Sequence, residues 1–400
     1  MNRKRGQASR RESQRVDLPN LSQNVQILAN MDATEDVVIS CYVNLEAGGR
    51  GYRSFLDGRI RAVRAVLPGR ERRSFEEALG PVEAFLASDL DPAAAGAAIF
   101  SRGGACSLFL PLQFKVPVSN QMTVDPLPSV YGLVLLKEVF HRYVLMISTE
   151  TDARIVEVDL GDVTSELWLK RPELRKRVGR EWTREHYQNH RRDRSEKFIK
   201  EKIQILDRLV SDGRYDHLVL AGSPPTVARI RSKLPKRLLD KLVDVVPLPG
   251  ATATEEAVLA TLASFVEHSE QESIEASSLV LDELRRGSLA VAGTAAVLGA
   301  LGRGQVDRLI IAETYASPEG WICQQCQNAA VGSPPAACPA CGGRSVRDAD
   351  FREDLVRLAE RSDCAIEVVR DSDVFLRIGG VGGLLRYLTP EEPPDPSGSR

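Results

Sequence analysis

The chain has 400 residues and a formal net charge of -2, and 43 % of its residues are hydrophobic. That length exceeds one ordinary domain and leads us to expect two to four, each with enough apolar residues for a core. The near-neutral total excludes a uniformly basic nucleic-acid binder, so contact with polyanions must come from local patches. The sequence holds no run of 18 apolar residues for a membrane span. The arginine-rich N-terminus lacks the apolar stretch of a secretory signal, so no membrane partner is expected.

In chain order, residues 1–20 read as a disordered basic arm. A first α/β domain is expected over 21–135. Residues 36–44 are β-branched and strand-like. Phe55, Leu56, Ile60, Val63 and Leu67 share one helical face, and so do Phe75, Leu79, Val82 and Leu86. Short strands are expected at Ala97–Ser101 and Cys106–Leu110, and Pro126 and Pro128 mark a linker. A middle domain, 139–272, opens with strands at Tyr143–Ser148 and Arg154–Val158. A basic stretch comes after them. The helix beyond it carries Phe198, Ile199, Ile203, Leu206 and Val210 on one face. The strand His217–Ala221 then leads through Gly222-Ser-Pro-Pro into another helix, and an acidic helical run closes the domain. A last α/β domain, 274–389, is expected as helix, helix, strand Asp307–Ala312, a cysteine insert over 321–345, helix Phe351–Arg361, strand Ala365–Val369 and a glycine-rich start to a final helix. Residues 390–400 read as a disordered tail.

Four of the seven cysteines stand as Cys323-Gln-Gln-Cys326 and Cys338-Pro-Ala-Cys341. Each pair makes a tight turn presenting two thiolates, and two such knuckles complete a tetrahedral, soft-ligand shell for Zn2+. A redox dithiol would call for one pair at a helix start. A closed four-thiolate shell leaves no open position, so the zinc should be structural. The other three cysteines lie in apolar surroundings, and the pattern as a whole fits a reducing, cytoplasmic setting.

From Lys170 to Lys202 there are 13 Lys and Arg against 6 Asp and Glu, in a chain whose total is negative. Trp168, Trp182, Tyr187, His186 and His190 are interleaved. Cations neutralise phosphates and flat rings stack on unpaired bases, so this stretch is the expected RNA-binding element. Its candidates are Arg180, Arg184, His186, Tyr187, Gln188, His190, Arg191, Arg192, Arg194 and Lys197. The plainer alternative is a solvated helix with internal pairs such as Glu196 with Lys200.

These features resemble a known superfamily. Ala300-Leu-Gly-Arg-Gly-Gln-Val-Asp-Arg-Leu-Ile-Ile-Ala-Glu313 is similar to the opening of the third domain of archaeal and eukaryotic class-one release factors and Pelota. A two-knuckle cysteine insert stands at the same place in archaeal members. Ile378-Gly-Gly-Val-Gly-Gly-Leu-Leu-Arg-Tyr387 is similar to the family's terminal motif. The middle domain shares the strand pair, basic loop, long helix and Gly-Ser-Pro-Pro turn. The resemblance covers roughly 140–388 and is to divergent bacterial, Balon-like members. It implies three domains in an elongated, tRNA-like arrangement, the last an α/β/α sandwich carrying a zinc ribbon. Without the family, Gly379-Gly-Val-Gly-Gly lacks dinucleotide-loop spacing and reads as a positive-φ turn before the last helix.

The chain departs from the family where chemistry resides. Release factors hydrolyse the peptidyl-tRNA ester with a Gly-Gly-Gln loop, and this sequence has none. At the expected place stands Gly179-Arg-Glu-Trp-Thr-Arg-Glu-His-Tyr-Gln188, where His186 and Tyr187 replace the glycines ahead of the basic helix. The Asn-Ile-Lys-Ser element of stop-codon reading has no counterpart in 21–125. The resemblance therefore implies a ribosomal A-site factor of hibernation or rescue without codon-specific termination. Its implied partners are the ribosome and ribosomal RNA, with tRNA and a translational GTPase as further partners. The alternative is a peptidyl-tRNA hydrolase using a variant loop around Gln188.

Overall fold

The computed structural model describes residues 21–46, 50–140, 142–171, 184–211, 215–250, 252–326, 328–370 and 372–388, and of residues 50 and 184–191 the backbone alone. The arm 1–20 and the tail 390–400 lie outside these residues.

The first part runs α1 (Leu21–Ala29), β1 (Val38–Asn44), α2 (Arg50–Val66), α3 (Gly69–Ser88), β2 (Gly96–Arg102), β3 (Leu108–Phe114) and β4 (Gln121–Asp125). The strands form one antiparallel sheet in the order β3-β2-β1-β4. Ile39, Cys41, Val43 and Ile99 pack under Tyr52, Leu56, Phe75 and Leu79 of α2 and α3. Tyr42, Ala98, Phe100 and Phe114 belong instead to a core shared with α1 and the end of the chain. Strand β1 is thus covered on both faces, which is why its sequence is almost continuously apolar.

The expected linker turns into structure. After Pro126 and Pro128 comes α4 (Tyr131–Val139), with Leu133 and Val134 fully buried. The Tyr42 hydroxyl donates to the Ser129 carbonyl at 2.7 Å, and a Cβ at Gly132 would stand 2.7 Å from the Tyr42 ring.

Next come β5 (Tyr143–Ser148), β6 (Asp152–Asp159), β7 (Asp162–Lys170), α5 (Arg184–Ser211), β8 (His217–Gly222), α6 (Pro224–Arg231), α7 (Lys236–Leu239), β9 (Leu242–Pro247) and α8 (Thr254–Arg286). The sheet order is β7-β6-β5-β8-β9; β5, β8 and β9 are parallel and β6 and β7 are antiparallel. Phe198, Ile199, Leu206, Val227 and Ile230 of α5 and α6 cover Val144, Met146, Leu218 and Leu220. Val258 and Phe265 of α8 cover the alternate residues Leu145, Ile147, Val219 and Ala221. Alternate residues of a strand face opposite sides, so this sheet is sandwiched between helices. At Gly222, φ is +145° and a Cβ would meet the Ser148 carbonyl oxygen at 2.2 Å, so no side chain fits there. Helix α8 is one element of 33 residues closed by Gly287 in the left-handed region, and the boundary expected at 272–274 falls inside it.

The last part contains β10 (Ala290–Ala292), α9 (Thr294–Gly302), β11 (Val306–Ala312), β12 (Gly320–Cys323), β13 (Ala329–Val331), β14 (Val346–Asp348), α10 (Phe351–Arg361), β15 (Ala365–Val369), α11 (Asp373–Arg377) and β16 (Val381–Leu385). Its main sheet has the order β10-β16-β11-β15, and a small sheet β13-β12-β14 carries the cysteines. The positive-φ turn is where the glycines placed it, at Gly379 (φ +103°) and Gly380 (φ +67°). The residues after that turn form no helix. Val381–Leu385 is an inner strand, antiparallel to β10 and β11. A Cβ on Gly382 would stand 2.9 Å from Val280 of α8, so the glycine serves close packing under that helix.

Helix α10 also holds the first part of the chain. The Arg357 guanidinium donates to the carbonyls of Leu28 (3.0 Å), Ala29 (3.1 Å) and Pro128 (2.5 Å), and Lys137 pairs with Glu360 at 3.3 Å.

Candidate functional site

The two cysteine pairs converge. The Sγ atoms of Cys323, Cys326, Cys338 and Cys341 all lie within 4.8 Å of one another, with 3.6 Å between Cys323 and Cys341 and between Cys326 and Cys338. A tetrahedral shell with Zn–S bonds of about 2.3 Å has edges of about 3.8 Å, so the sulfurs fit a four-coordinate thiophilic ion. The local chain builds this geometry. Strand β12 delivers Cys323, whose N–H donates to Asn328 O at 2.8 Å, and the Cys338 N–H donates to Gly343 O at 2.7 Å. Gly342 (φ +74°) closes the second knuckle. The first cysteine of each pair is buried with Trp321 and the second is exposed. The backbone N–H groups of Cys326 and Gln325 hold the Cys323 thiol below its usual range. Burial opposes ionisation at Cys338, yet the backbone N–H groups of Cys341 and Ala340 bring it down to about 6. Amides aimed at sulfur favour thiolate, the form a metal binds.

The second candidate is α5. Of the expected RNA-binding residues, Arg180 lies outside the described residues, and Arg184, His186, Tyr187, Gln188, His190 and Arg191 lie on α5 by their backbone. Arg192 and Lys197 are exposed and Arg194 is half-buried. Glu196 does not pair with Lys200. It bridges to α6, taking Arg229 at 3.4 Å and also Lys233. Lys202, counted within the basic stretch, is 1 % exposed. Its Nζ donates to Ser148 Oγ at 2.7 Å and Thr149 O at 3.0 Å, and burial lowers its pKa to about 8. Arg192 and Lys197 thus lie exposed, whereas Lys202 at the end of the stretch anchors α5 on β5. Trp168 is 52 % exposed on β7, with the Arg154 guanidinium 5.2 Å from its ring centre.

Gln188 sits inside a helix. The sequence resemblance places it in a loop ahead of the basic helix, whereas α5 already begins at Arg184. The reason is local, for residues 184–192 contain neither glycine nor proline.

A third grouping, His217, His268 and Glu272, was not legible as a site. The i, i+4 spacing of His268 and Glu272 on α8 was a usable signal, but only the sheet brings His217 to them.

Residues 128–265, holding α4 through the first turns of α8, match the model of the bacterial archaeo-eukaryotic release factor family 10. Over these residues the chain is similar to that family. The matched segment is about a third of its length and contains all of α5. No curated protein matches it in sequence. Among solved structures it is similar to an archaeal translation termination factor, aRF1, at 17 % identity over 92 % of this chain and 97 % of that one (TM-score 0.25). It is also similar to Dom34 of S. cerevisiae at 12 % identity over 74 % and 81 % (TM-score 0.40). Pelota of Archaeoglobus fulgidus matches at 11 % identity over 73 % and 80 % (TM-score 0.34).

Proposed function

We propose that this release-factor-like chain binds the ribosomal A site in hibernation or rescue, without reading stop codons and without releasing peptide. The observation that carries the reading is the helical backbone at Arg184–His190, where the resemblance puts the Gly-Gly-Gln loop. Ester hydrolysis there needs a backbone able to approach the ester closely and aim a donor at the developing charge. Inside a helix the fifth residue already commits its N–H to the carbonyl four positions back, and Gln188 is the fifth residue of α5. A rigid cationic helix suits a different task, that of lying along ribosomal RNA with Arg192 and Lys197 toward phosphates. The family match over 128–265 supports the translational setting.

In this reading the chain works in the cytoplasm, its first part docked on α10 of its last part and its middle sheet joined to that last part by the continuous helix α8. One Zn2+ sits on Cys323, Cys326, Cys338 and Cys341. Its role is structural, since four thiolates leave it no open position for substrate. Tetrahedral cross-linking of β12 to the 338–341 knuckle fixes a sheet whose strands are only three or four residues long. The test is co-sedimentation with ribosomes. Binding to vacant 70S particles, competed by an A-site ligand, is expected; absence of binding at low salt overturns the reading.

A further inference from the structure

Strand β8 begins at His217, whose side chain is 13 % exposed. One turn apart on α8 stand His268 and Glu272, on the same helix face. The Glu272 carboxylate lies between the two rings, with Oε2 3.3 Å from His217 Nε2 and Oε1 3.3 Å from His268 Nε2. One donor atom from each residue falls within 4.8 Å of the other two, and the imidazoles cross at 80° with centres 6.1 Å apart. The His217 ring is held by Phe265, which meets it edge-on at 5.2 Å and itself stacks on Tyr143 at 4.8 Å.

We propose that His217, His268 and Glu272 form a binding site for a divalent transition metal, clamping β8 to α8. Two imidazole nitrogens and one carboxylate suit Zn2+, Ni2+ or Co2+, whereas Ca2+ and Mg2+ prefer all-oxygen shells. The two 3.3 Å contacts run to different oxygens of Glu272. A single ion takes one donor atom from each residue, and those atoms, within 4.8 Å of one another, close by side-chain rotation to the edges of about 3.4 Å in a tetrahedral shell with bonds of about 2.1 Å. The shell needs no rearrangement of backbone, because a strand end and one helix turn already supply all three donors. A bound ion replaces the two hydrogen bonds that Glu272 makes to the rings. Glu367 of β15 faces the same junction. It pairs with Arg308 at 3.2 Å and so has its own counter-charge. Helix α8 continues past the site under β15 and β16, so occupancy stiffens the joint between the middle sheet and the last one. The site uses none of the four cysteines and stands independently of the ribosomal reading.

The experiment is calorimetric titration of Zn2+ into tag-free full-length protein already holding one zinc on its cysteines. One further equivalent is expected, accompanied by a rise in melting temperature. His268→Gln and Glu272→Gln lie at the partly exposed rim, at 37 % and 44 % side-chain exposure, and should fold normally. Each should weaken the second equivalent by roughly 10-fold or more and abolish the thermal shift. No heat beyond the cysteine equivalent, or a second equivalent undiminished in both variants, overturns the site; the three residues then make ion pairs only.

Discussion

The Glu353 carboxylate of α10 accepts the backbone N–H of Val130 at 2.8 Å, across 223 residues of sequence. The same carboxylate accepts the N–H of Tyr131 at 3.1 Å, and the Ser129 hydroxyl donates to its other oxygen. A side chain from the last part of the chain thus satisfies amides at the first turn of α4 that the helix cannot satisfy itself. The Arg352 guanidinium lies 5.2 Å from the Tyr131 ring centre beside it. Glu353→Ala leaves these donors unmet in a part-buried setting and should cost about 1.5–3 kcal/mol. Urea denaturation measures it, and a loss under about 0.5 kcal/mol would place the contact among ordinary surface interactions.

Glu138 makes stability depend on pH in a stated direction. Burial lifts its carboxyl from 4.5 to about 8, so the folded chain holds a proton that the unfolded chain releases across that window. The folded state then binds more protons, and Glu138's contribution falls as pH rises from 4.5 to 8, levelling off beyond either end. Glu138→Gln should remove up to about 1.4 kcal/mol per pH unit of this slope. Parallel pH–stability profiles for the two proteins would contradict the assignment.

Loss of one thiolate should unfold the small sheet and spare the rest. Cys341→Ser is expected to lower bound zinc by one per chain, as elemental analysis would show. Amide exchange should rise over Gly320–Asp348 while β5 and β8 keep their protection. Unchanged zinc content in the variant would disprove coordination by this set.

How far the sequence discloses the fold depends on where each element's partners lie. Helix α10 and strand β15 match their sequence-read bounds, Phe351–Arg361 and Ala365–Val369. Both carry strong local patterns, and Asp350 caps α10 by accepting from the Arg352 N–H. The four cysteines were legible because knuckle spacing is itself local. Helices α1 and α4 were not legible. They are short, and Val25, Leu28, Leu133 and Val134 find their cover in a core built from distant segments. Gly382 and Gly383 mimic a helix-opening loop, and they form a strand because β10 and β11, far away in sequence, pair with it on both edges. Gln188 was placed in a loop by resemblance, although its own neighbours favour helix. Lys202 shows the limit of counting charge, since its position on the inner face of α5 makes it an anchor.

The cations Arg192, Arg194 and Lys197 of α5 should set the salt dependence of ribosome binding. Replacing Arg192, Arg194 and Lys197 together with Ala should weaken association at every salt concentration. It should also flatten log affinity against log salt by somewhat under ~1 for each phosphate no longer neutralised. Sedimentation across a salt series reads both quantities, and an unchanged slope would make this face a solvated surface.

The central claim is occupancy without hydrolysis, and single-turnover release from ribosomes carrying labelled peptidyl-tRNA tests it most directly, with bound protein measured in the same reactions. The account predicts that the protein co-sediments with the particles while peptide release stays at background, equally for the native chain and Gln188→Ala. Release well above background by the native chain, lost in Gln188→Ala, would contradict it and make the protein a peptidyl-tRNA hydrolase.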